Sequence, residues 1–435
     1  MIDFDALFDE LFPIMRSITG DGYRRSIGIF ARYMNLDVHR YKSGTKVFDW
    51  TVPKEWKIAE AHLSELDGRK ICDIKDNNLH VVNYSAPVDT ILDLDALQPR
   101  LYSLPAQPDL IPYVTSYYAE NWGFCLAHAR RSTLRDTRYR AVIKSELIDG
   151  FVEVAETELK GSSDRTILLT SYLCHPSMAN NELSGPLVLL GLYEKLRATE
   201  DRHFSYRFVL HPETIGSICY LSSHADELKS TVCAGLVLTC LGGPREKLSY
   251  LVSKRSRSPL DKLIRRMAAE GKIDTRKFDP SSGSDERQYS SPGIDLPVGQ
   301  MARTVYGEYP EYHTSGDTKE FMGIGQIRDA IEQIYALLML NEQSRPISRY
   351  EPSCEIQLGK RGLYPNVNFQ GRPNSSSDDL EDQRRQLNAI LWILNLADGK
   401  TDLVDVANES DIELHVIAEA LKRLEAENLV YLGDH

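Results

Sequence analysis

The chain has 435 residues, of which 42% are hydrophobic and 26% are charged, as is typical of folded globular proteins. This length predicts roughly two or three domains. The net charge of -12 excludes a general nucleic-acid coat protein, because the chain has no overall positive field to attract phosphates. We therefore expect a small partner.

The cysteines and the apolar runs indicate the cellular compartment of the protein. The seven cysteines are odd in number and widely spaced, which favours reduced thiols over a disulfide framework. The first residues, MIDFDALFDELF, lack the basic start of a secretory signal. The longest apolar runs are far shorter than the roughly 20 residues that span a bilayer. We expect a cytoplasmic protein that does not enter a membrane.

The first part of the chain predicts helices followed by a β-rich segment. Residues 3–34 show helical spacing of apolar residues twice, which predicts two opening helices. Residues 47–137 contain short alternating segments and several prolines, and they predict a small inserted domain that is mostly β.

From residue 139 onward, strand-like segments alternate with helical ones. The helical stretches are expected at 185–198, 217–229, 258–270 and 319–342. ILLTSYL and GLVLTCL are nearly continuous apolar runs, as expected of central strands that helices cover on both faces. Residues 1–46 and 138–370 are therefore predicted to form one α/β domain.

The C-terminal part predicts a separate small domain. GRPNSSSDDLEDQ, at 371–383, has the polar composition of a linker. Three helical stretches and a short terminal strand then predict a winged helix-turn-helix over 381–435. This segment is rich in acidic residues, which would repel a phosphate backbone. We expect a docking module that does not bind nucleic acid.

Metal-binding residue types follow separate predicted strands. His175 follows ILLTSYLC, Glu213 follows the next strand, and His313 lies in the later loop EYPEYHTSGDT. Ligands bind open α/β sheets at the carboxyl ends of the strands, and two histidines with one carboxylate suit a borderline-soft divalent cation. Each residue also has a simpler explanation. His175 would be an ordinary hydrogen-bonded histidine, Glu213 an acid at the start of a helix, and His313 a ring packed among aromatic residues. His211 either orients Glu213 or is structural.

Other reaction types have weaker support. Cys174 precedes His175, but adjacent residues on a strand point to opposite faces, so we expect no thiolate–base pair. The chain has no glycine-rich nucleotide loop, HExxH helix or GxSxG elbow. In the polar loop SSGSDERQYSS, Ser284 and Asp285 either face a cleft or are solvated.

Four stretches carry a resemblance to a known family: LFPIMRSITGDGYRRS, VFDWTVPKEW, CHPSMANNELSGP and YPEYHTSGD. Residues 149–345 resemble the zinc aminopeptidase-like fold shared by bacterial leucine-type aminopeptidases and glutaminyl cyclases. The whole chain resembles bacterial aminopeptidase-like proteins found with surface-polysaccharide or specialised-metabolite genes. The resemblance implies an α/β fold with a central mixed, mostly parallel sheet flanked by helices, a β-rich insertion and a C-terminal winged helix-turn-helix.

The resemblance also implies roles for individual residues. His175 and His313 match metal-binding histidines, and Glu213 matches a general base. In the family's A-x-D-N-x-S-G run, the aspartate bridges two metals; this chain has Asn181 there, followed by Glu182.

Two close divalent ions need a bridging carboxylate, so the resemblance implies a single zinc ion held by His175, His313 and Glu182. The neutral amide of Asn181 is a weaker alternative to Glu182.

The expected function is a single-zinc hydrolase that cleaves an amide of a small peptide or an aminoacylated metabolite. The alternatives are a catalytically inactive binding protein in polysaccharide or metabolite biosynthesis and a transcription regulator, although a regulator would need a basic helix. Whether the protein forms a homo-oligomer stays open. We expect the insertion to cover the ligand edge of the sheet. Residues expected to contact substrate are Asn181, Ser284, Asp285, Tyr309, Tyr312 and Asp317.

Overall fold

A computed structural model describes residues 2–364 and 377–434. The chain divides into two compact units, residues 1–255 with 276–334, and residues 256–275 with 335–435. The helices are α1 (Phe4–Leu11), α2 (Asp21–Phe30), α3 (Leu94–Leu97), α4 (His128–Arg131), α5 (Ser184–Arg197), α6 (Ile215–Thr231), α7 (Pro259–Ala269), α8 (Glu286–Tyr289), α9 (Lys319–Met322), α10 (Ile324–Gln343), α11 (Ser377–Leu396), α12 (Leu403–Ser410) and α13 (Leu414–Ala426).

Most strands belong to the first unit. The strands are β1 (Asp37–Lys42), β2 (Lys46–Val47), β3 (Trp50–Thr51), β4 (Glu55–Glu65), β5 (Lys70–Asp73), β6 (Val88–Leu92), β7 (Leu101–Tyr102), β8 (Phe124–Cys125), β9 (Tyr139–Ile148), β10 (Phe151–Leu159), β11 (Thr166–Tyr172), β12 (Ser205–His211), β13 (Val232–Leu238), β14 (Ser249–Leu251), β15 (Asp274–Arg276), β16 (Val298–Ala302), β17 (Ile347–Arg349) and β18 (Val430–Leu432).

A large mixed sheet forms the centre of the first unit. Its strands run in the order β1-β10-β12-β11-β13-β16-β14. The four neighbours β12, β11, β13 and β16 are parallel, and the outer pairings are antiparallel. Every residue of β11 and β12 is buried, as expected of strands covered on both faces. The predicted α/β class with a central mixed sheet is confirmed, and its parallel strands lie in the middle with antiparallel strands on both sides.

Helix α5 enters this sheet at a point of close approach. A short π-helix, Ala179–Leu183, leads directly into α5. A Cβ atom on Gly185 would lie 2.3 Å from the carbonyl oxygen of Leu238 and 2.4 Å from Ser171 Oγ. Only glycine fits there, so the turn that carries Asn180, Asn181 and Glu182 is held against the ends of β11 and β13.

A second sheet lies in the inserted segment and extends beyond it. Its order is β5-β4-β9-β6, with antiparallel pairing throughout. Strand β9 begins at Tyr139, past the limit of 137 set from the sequence. Its buried residues Tyr139, Ala141 and Ile143 occupy alternate positions of the strand and join the core of this smaller sheet. That alternation is typical of a half-covered antiparallel strand, and it explains the difference.

The second unit contains α7 and the helices of the C-terminal segment. Helix α7 begins with a capping box between Ser258 and Asp261. Helices α11, α12 and α13 are followed by β18, which pairs with β17 in an antiparallel ladder. Asp402 and Asp405 form a capping box at the start of α12.

The second half of the predicted linker at 371–383 is helical in the structure. Residues 371–376 lie outside the described residues, whereas α11 already begins at Ser377. The apolar residues Leu387, Ile390 and Ile393 are buried at helical spacing, and the helix they define extends back through the acidic stretch.

None of the helices in the described ranges has the length and apolar character that a membrane crossing requires.

Candidate metal centre

The carboxyl ends of the four parallel strands meet at one edge of the large sheet. His175 follows β11, Glu213 follows β12, Cys240 follows β13, and the loop with His313 follows β16. The structure therefore brings together residues that are widely separated along the chain.

His175 is the centre of this group. Its Nδ1 atom lies 2.5 Å from Glu182 Oε2, and its Nε2 atom lies 3.6 Å from Glu213 Oε2. Burial acts to lower the pKa of His175, but the interactions with Cys174 and Glu182 outweigh it and raise the pKa well above its usual value. The imidazole thus lies between two carboxylates.

Glu213 reaches the cleft from the turn after β12. Its Oε1 atom accepts a hydrogen bond from Ser284 Oγ at 2.6 Å, and its side chain is 31% exposed. Burial raises the pKa of Glu213 against the opposing effect of His175. Ser284, expected to contact substrate, positions this carboxylate.

His313 packs among aromatic rings at the same edge. Its ring centroid lies 5.5 Å from that of His175, and Tyr312 stacks on it at 3.9 Å. Burial and the proximity of His175 lower the pKa of His313 to about 3, which keeps the imidazole neutral as a metal ligand must be. Aromatic packing, the simpler explanation, is present; ligation stays a prediction.

Two carboxylates predicted to contact substrate support the backbone. Asp317 accepts hydrogen bonds from the backbone N–H groups of Asn180 at 2.7 Å and Asn181 at 2.8 Å. Asp285 Oδ1 accepts from the Thr214 N–H at 2.8 Å. Burial raises the pKa of Asp317 to about 7 and that of Asp285 to about 6. Both are positioned to hold the turns that present Asn181 and Glu213.

Tyr309 lies deeper than Tyr312. It is buried, it stacks on Phe321 with ring centroids 5.0 Å apart, and its hydroxyl lies 4.0 Å from Cys240 Sγ. Tyr312 is only partly buried, so of the two it has the more accessible surface for a substrate.

His211 has a structural role. Its Nε2 atom lies 2.8 Å from Thr170 Oγ1, and its Nδ1 atom lies 3.0 Å from the carbonyl oxygen of Pro212. Burial lowers the pKa of His211 to about 4. Both nitrogens are engaged within the core, away from the Glu213 carboxylate.

The structure corrects the sequence argument about Cys174. Its sulfur lies 3.6 Å from His175 Nδ1, because β11 ends at Tyr172 and the alternation of a strand no longer applies. Burial raises the pKa of Cys174 to about 11, so it is present as a thiol. Cys174 and His175 are therefore still not a thiolate and its base, but the reason is the raised pKa of the thiol and not the direction of the side chains.

Sequence reasoning also missed Arg16 and Tyr113. Arg16 is fully buried, and its Nε atom donates a hydrogen bond to the carbonyl oxygen of His175 at 2.9 Å. The Tyr113 ring packs edge-on against His175 at 5.0 Å and His313 at 5.3 Å. Tyr113 comes from the segment between β7 and β8, which covers the two histidines. A tyrosine is not a typical metal ligand, so nothing in the sequence points to this residue.

Four residues at this edge have a strained backbone conformation. Ser177, Thr214, Cys240 and His313 all have positive φ angles, between 48° and 63°, although none is glycine. Each lies in or beside a turn that follows a parallel strand. Such conformations cost of order 1–3 kcal/mol each and are typical of functional sites.

The donor atoms at this edge fit a metal ion. Cys174, His175 and Glu182 offer ligand atoms within 4.8 Å of one another. Glu182 Oε1 and Asn181 Oδ1 are buried and, within the part of the chain that the structure describes, have no hydrogen-bond partner. A buried oxygen without a partner is costly, and a bound cation would relieve that cost. His313 is not part of this close cluster, so the predicted three-ligand set stays a prediction.

The role of Asp317 can be tested by stability. We expect Asp317→Asn to lower the unfolding free energy by about 1–3 kcal/mol, because an amide cannot accept both backbone hydrogen bonds. Chemical denaturation measures the change. The exposed Asp109→Asn serves as the control, with a change within about 0.5 kcal/mol. Equal stability of the two variants would contradict this role.

The fold is that of aminopeptidase-like proteins. A zinc aminopeptidase from Bacillus subtilis matches with a TM-score of 0.56 at 13% identity, over 77% of this chain and 92% of that one. A peptidase M28 precursor from Shewanella amazonensis matches with a TM-score of 0.54 at 12% identity, over 78% and 91%. These likenesses establish the fold.

The chain belongs to the family described as "Domain of unknown function (DUF4910)", which matches residues 5–344, and a winged helix-turn-helix family matches residues 345–431. A relative from Clostridium acetobutylicum, provisionally named a polysaccharide biosynthesis protein with an aminopeptidase-like domain, is 42% identical over 429 residues, 98% of this chain and 95% of the relative.

A crystal structure from the same organism, provisionally named a peptidase, has a TM-score of 0.88 at 40% identity, over 98% of this chain and 95% of that one. The predicted resemblance and the winged helix are confirmed.

Proposed function

We propose that this protein is a single-zinc hydrolase that cleaves an amide bond of a small peptide or an aminoacylated metabolite. The observation that carries the proposal is the Glu213 carboxylate, 3.6 Å from His175 Nε2 and partly exposed at the ligand edge of the sheet. A carboxylate with a raised pKa beside a metal-binding residue type is suited to general-base catalysis.

The proposed ligands are His175, His313 and Glu182. The Glu182 carboxylate contacts His175 Nδ1, so direct ligation requires Glu182 to share or release that contact. Asn181 competes for the same role, since its Oδ1 is buried and has no hydrogen-bond partner among the described residues. We retain Glu182 because an anionic oxygen binds zinc better than a neutral amide. Loss of bound zinc in Glu182→Gln, but not in Asn181→Ala, would support this choice.

The side chains at this edge have separate roles in the proposed amide hydrolysis. A zinc ion, when bound, polarises a carbonyl and makes water more acidic. Glu213 takes a proton from the attacking water at a carboxylate oxygen and returns it to the leaving amine. Ser284 holds the other carboxylate oxygen, and Tyr113 narrows access to the site from above the two histidines. Tyr312 is the proposed contact for the substrate.

A second candidate function is a catalytically inactive binding protein. It is favoured by Asn181, which replaces the bridging aspartate expected for a two-metal aminopeptidase. The name of the Clostridium relative associates either function with polysaccharide biosynthesis.

The remaining partner predictions are part of this proposal. We propose a small-molecule or short-peptide substrate, a cytoplasmic location and no nucleic-acid partner; a homo-oligomer stays open. On α13 and just before it, Glu419 and Glu413 are hydrogen-bonded to Gln386 and Arg385, so this surface retains acidic groups. Absence of binding to DNA at low salt would support the docking role, and salt-dependent binding would contradict it.

Zinc content and hydrolysis test the main proposal together. Protein purified without chelator should contain zinc at the centre around His175, and His175→Ala should lose that zinc and the activity. Release of free amino acid from a panel of aminoacyl amides measures the reaction. His415→Ala, in the second unit, is the matched control and should keep both. Zinc without hydrolysis across the panel would favour the binding protein, and absence of zinc would contradict the hydrolase.

A further inference from the structure

A second cluster of metal-binding residue types lies away from the carboxyl edge. It comprises His39 on β1, Glu156 on β10 and His224 on α6. Glu156 Oε1 lies 2.7 Å from His39 Nε2 and 3.9 Å from His224 Nε2. The two imidazole centroids are 4.7 Å apart, and one ligand atom from each residue lies within 4.8 Å of the others.

One arrangement of the protons leaves a place for a cation in this cluster. His224 Nδ1 lies 3.1 Å from the carbonyl oxygen of Tyr220 and 2.9 Å from Ser223 Oγ, so it either donates to the carbonyl or accepts from the hydroxyl. When Nδ1 donates, Nε2 of a neutral imidazole is an acceptor, and it faces another acceptor, Glu156 Oε1, at 3.9 Å. A metal ion between them would satisfy both atoms.

The surroundings of these residues match those of metal ligands. A metal-binding histidine commonly donates its second nitrogen to a backbone carbonyl, and His224 Nδ1 lies within hydrogen-bond distance of the carbonyl oxygen of Tyr220. Glu156 Oε2 accepts a hydrogen bond from the Tyr220 hydroxyl, which fixes the carboxylate and leaves Oε1 towards both imidazoles. The Tyr220 ring also stacks on His224 at 4.4 Å. Two of the three ligands are thus oriented in advance.

The local charge permits a divalent ion. Arg207 Nε lies 3.9 Å from Glu156 Oε2, but the same guanidinium is 2.5 Å from Glu227 and 3.6 Å from Glu158. Three carboxylates therefore surround one guanidinium, and Lys160 Nζ lies 2.8 Å from Glu158, so these charged groups together carry one excess negative charge. A cation is attracted under these conditions.

We propose that His39, Glu156 and His224 bind a zinc ion or another borderline-soft divalent cation. Two imidazoles and one carboxylate are a typical zinc donor set. The side chains are 32%, 17% and 16% exposed, which leaves room for water as a further ligand. The ion joins strand β1, at the end of the sheet, to helix α6. This site is structural and does not depend on the proposed hydrolase.

The experiment compares metal stoichiometry between variants of the full chain. Each protein is stripped of metal, reloaded with Co²⁺ or Zn²⁺ and dialysed, and bound metal is measured by elemental analysis. We expect His224→Gln and His39→Gln each to bind one equivalent fewer than the wild type. The matched control is His62→Gln, because His62 Nδ1 lies 3.1 Å from Glu60 in a histidine–carboxylate pair outside the cluster. It should keep the wild-type stoichiometry.

Two further measurements complete the test. Metal should raise the melting temperature of the wild type more than that of His224→Gln, and thermal melts without metal show that each variant is folded. His175→Ala should lose a different equivalent, so failure of the hydrolase proposal is distinguishable from failure of this one. Equal stoichiometry in the wild type, His39→Gln and His224→Gln would overturn the second site, as would an equal loss in His62→Gln.

Discussion

Glu213→Gln is expected to lower kcat for amide hydrolysis by about 10²–10⁴-fold without loss of zinc. The substitution keeps the size of the side chain and a hydrogen-bonding group for Ser284, whose Oγ is 2.6 Å from Glu213 Oε1. It removes the base that accepts the proton from water. Steady-state kinetics on an aminoacyl amide and elemental analysis of the same sample measure the two properties together.

The pH profile provides a second readout of this base. Burial raises the pKa of Glu213, so the carboxylate is protonated over a wider range of acidic pH than a free glutamate. Because the base acts only when deprotonated, kcat/KM should rise with pH through a limb above the usual value of 4.5. That limb should be absent from the residual activity of Glu213→Gln.

The control for this prediction is Glu409→Gln, an exposed glutamate in the second unit. It should leave both kcat and the pH limb unchanged. Unchanged hydrolysis in Glu213→Gln would exclude Glu213 as the base. A parallel loss of zinc would instead assign Glu213 to the metal, because its Oε2 atom lies only 3.6 Å from His175 Nε2.

The sequence was sufficient to predict the strands that carry this site. The fully buried strands β11 and β12 appear in the sequence as apolar runs, and the residues after them can be placed at one edge by the rule for parallel strands. The sequence also marks β9 as a strand-like segment, but it does not show that this strand pairs with β4 and β6. The periodicity of apolar residues thus predicts where strands lie better than it predicts which strands pair with one another.

The groups that complete the site could not be predicted in the same way. Tyr113 reaches His175 and His313 from the inserted segment, and Asp317 reaches the backbone of Asn180 and Asn181 across more than 130 residues of chain. Such contacts depend on tertiary packing, which leaves no periodic signal in either partner. Asp317 was therefore assigned to the substrate from its residue type alone.

Arg16→Met is expected to lower the unfolding free energy by about 3–5 kcal/mol. Arg16 is fully buried, and its guanidinium donates hydrogen bonds to the carbonyl oxygens of His175 at 2.9 Å and Leu11 at 2.6 Å. Burial lowers the pKa of Arg16, and the charge of Glu182 opposes that effect. Methionine keeps the apolar stem but leaves Glu182 buried without this positive charge. Chemical denaturation measures the change.

Two comparisons separate charge from packing in this prediction. Arg25→Met removes an exposed guanidinium from α2 and should change stability by less than about 0.5 kcal/mol. The double variant Arg16→Met with Glu182→Gln should recover part of the loss, because the buried carboxylate that lacks a counter-charge is then removed as well. If the double variant is as unstable as the sum of the single ones, the two side chains are not coupled. The positive charge that balances Glu182 then comes from His175, whose Nδ1 atom lies 2.5 Å away, or from the proposed zinc ion.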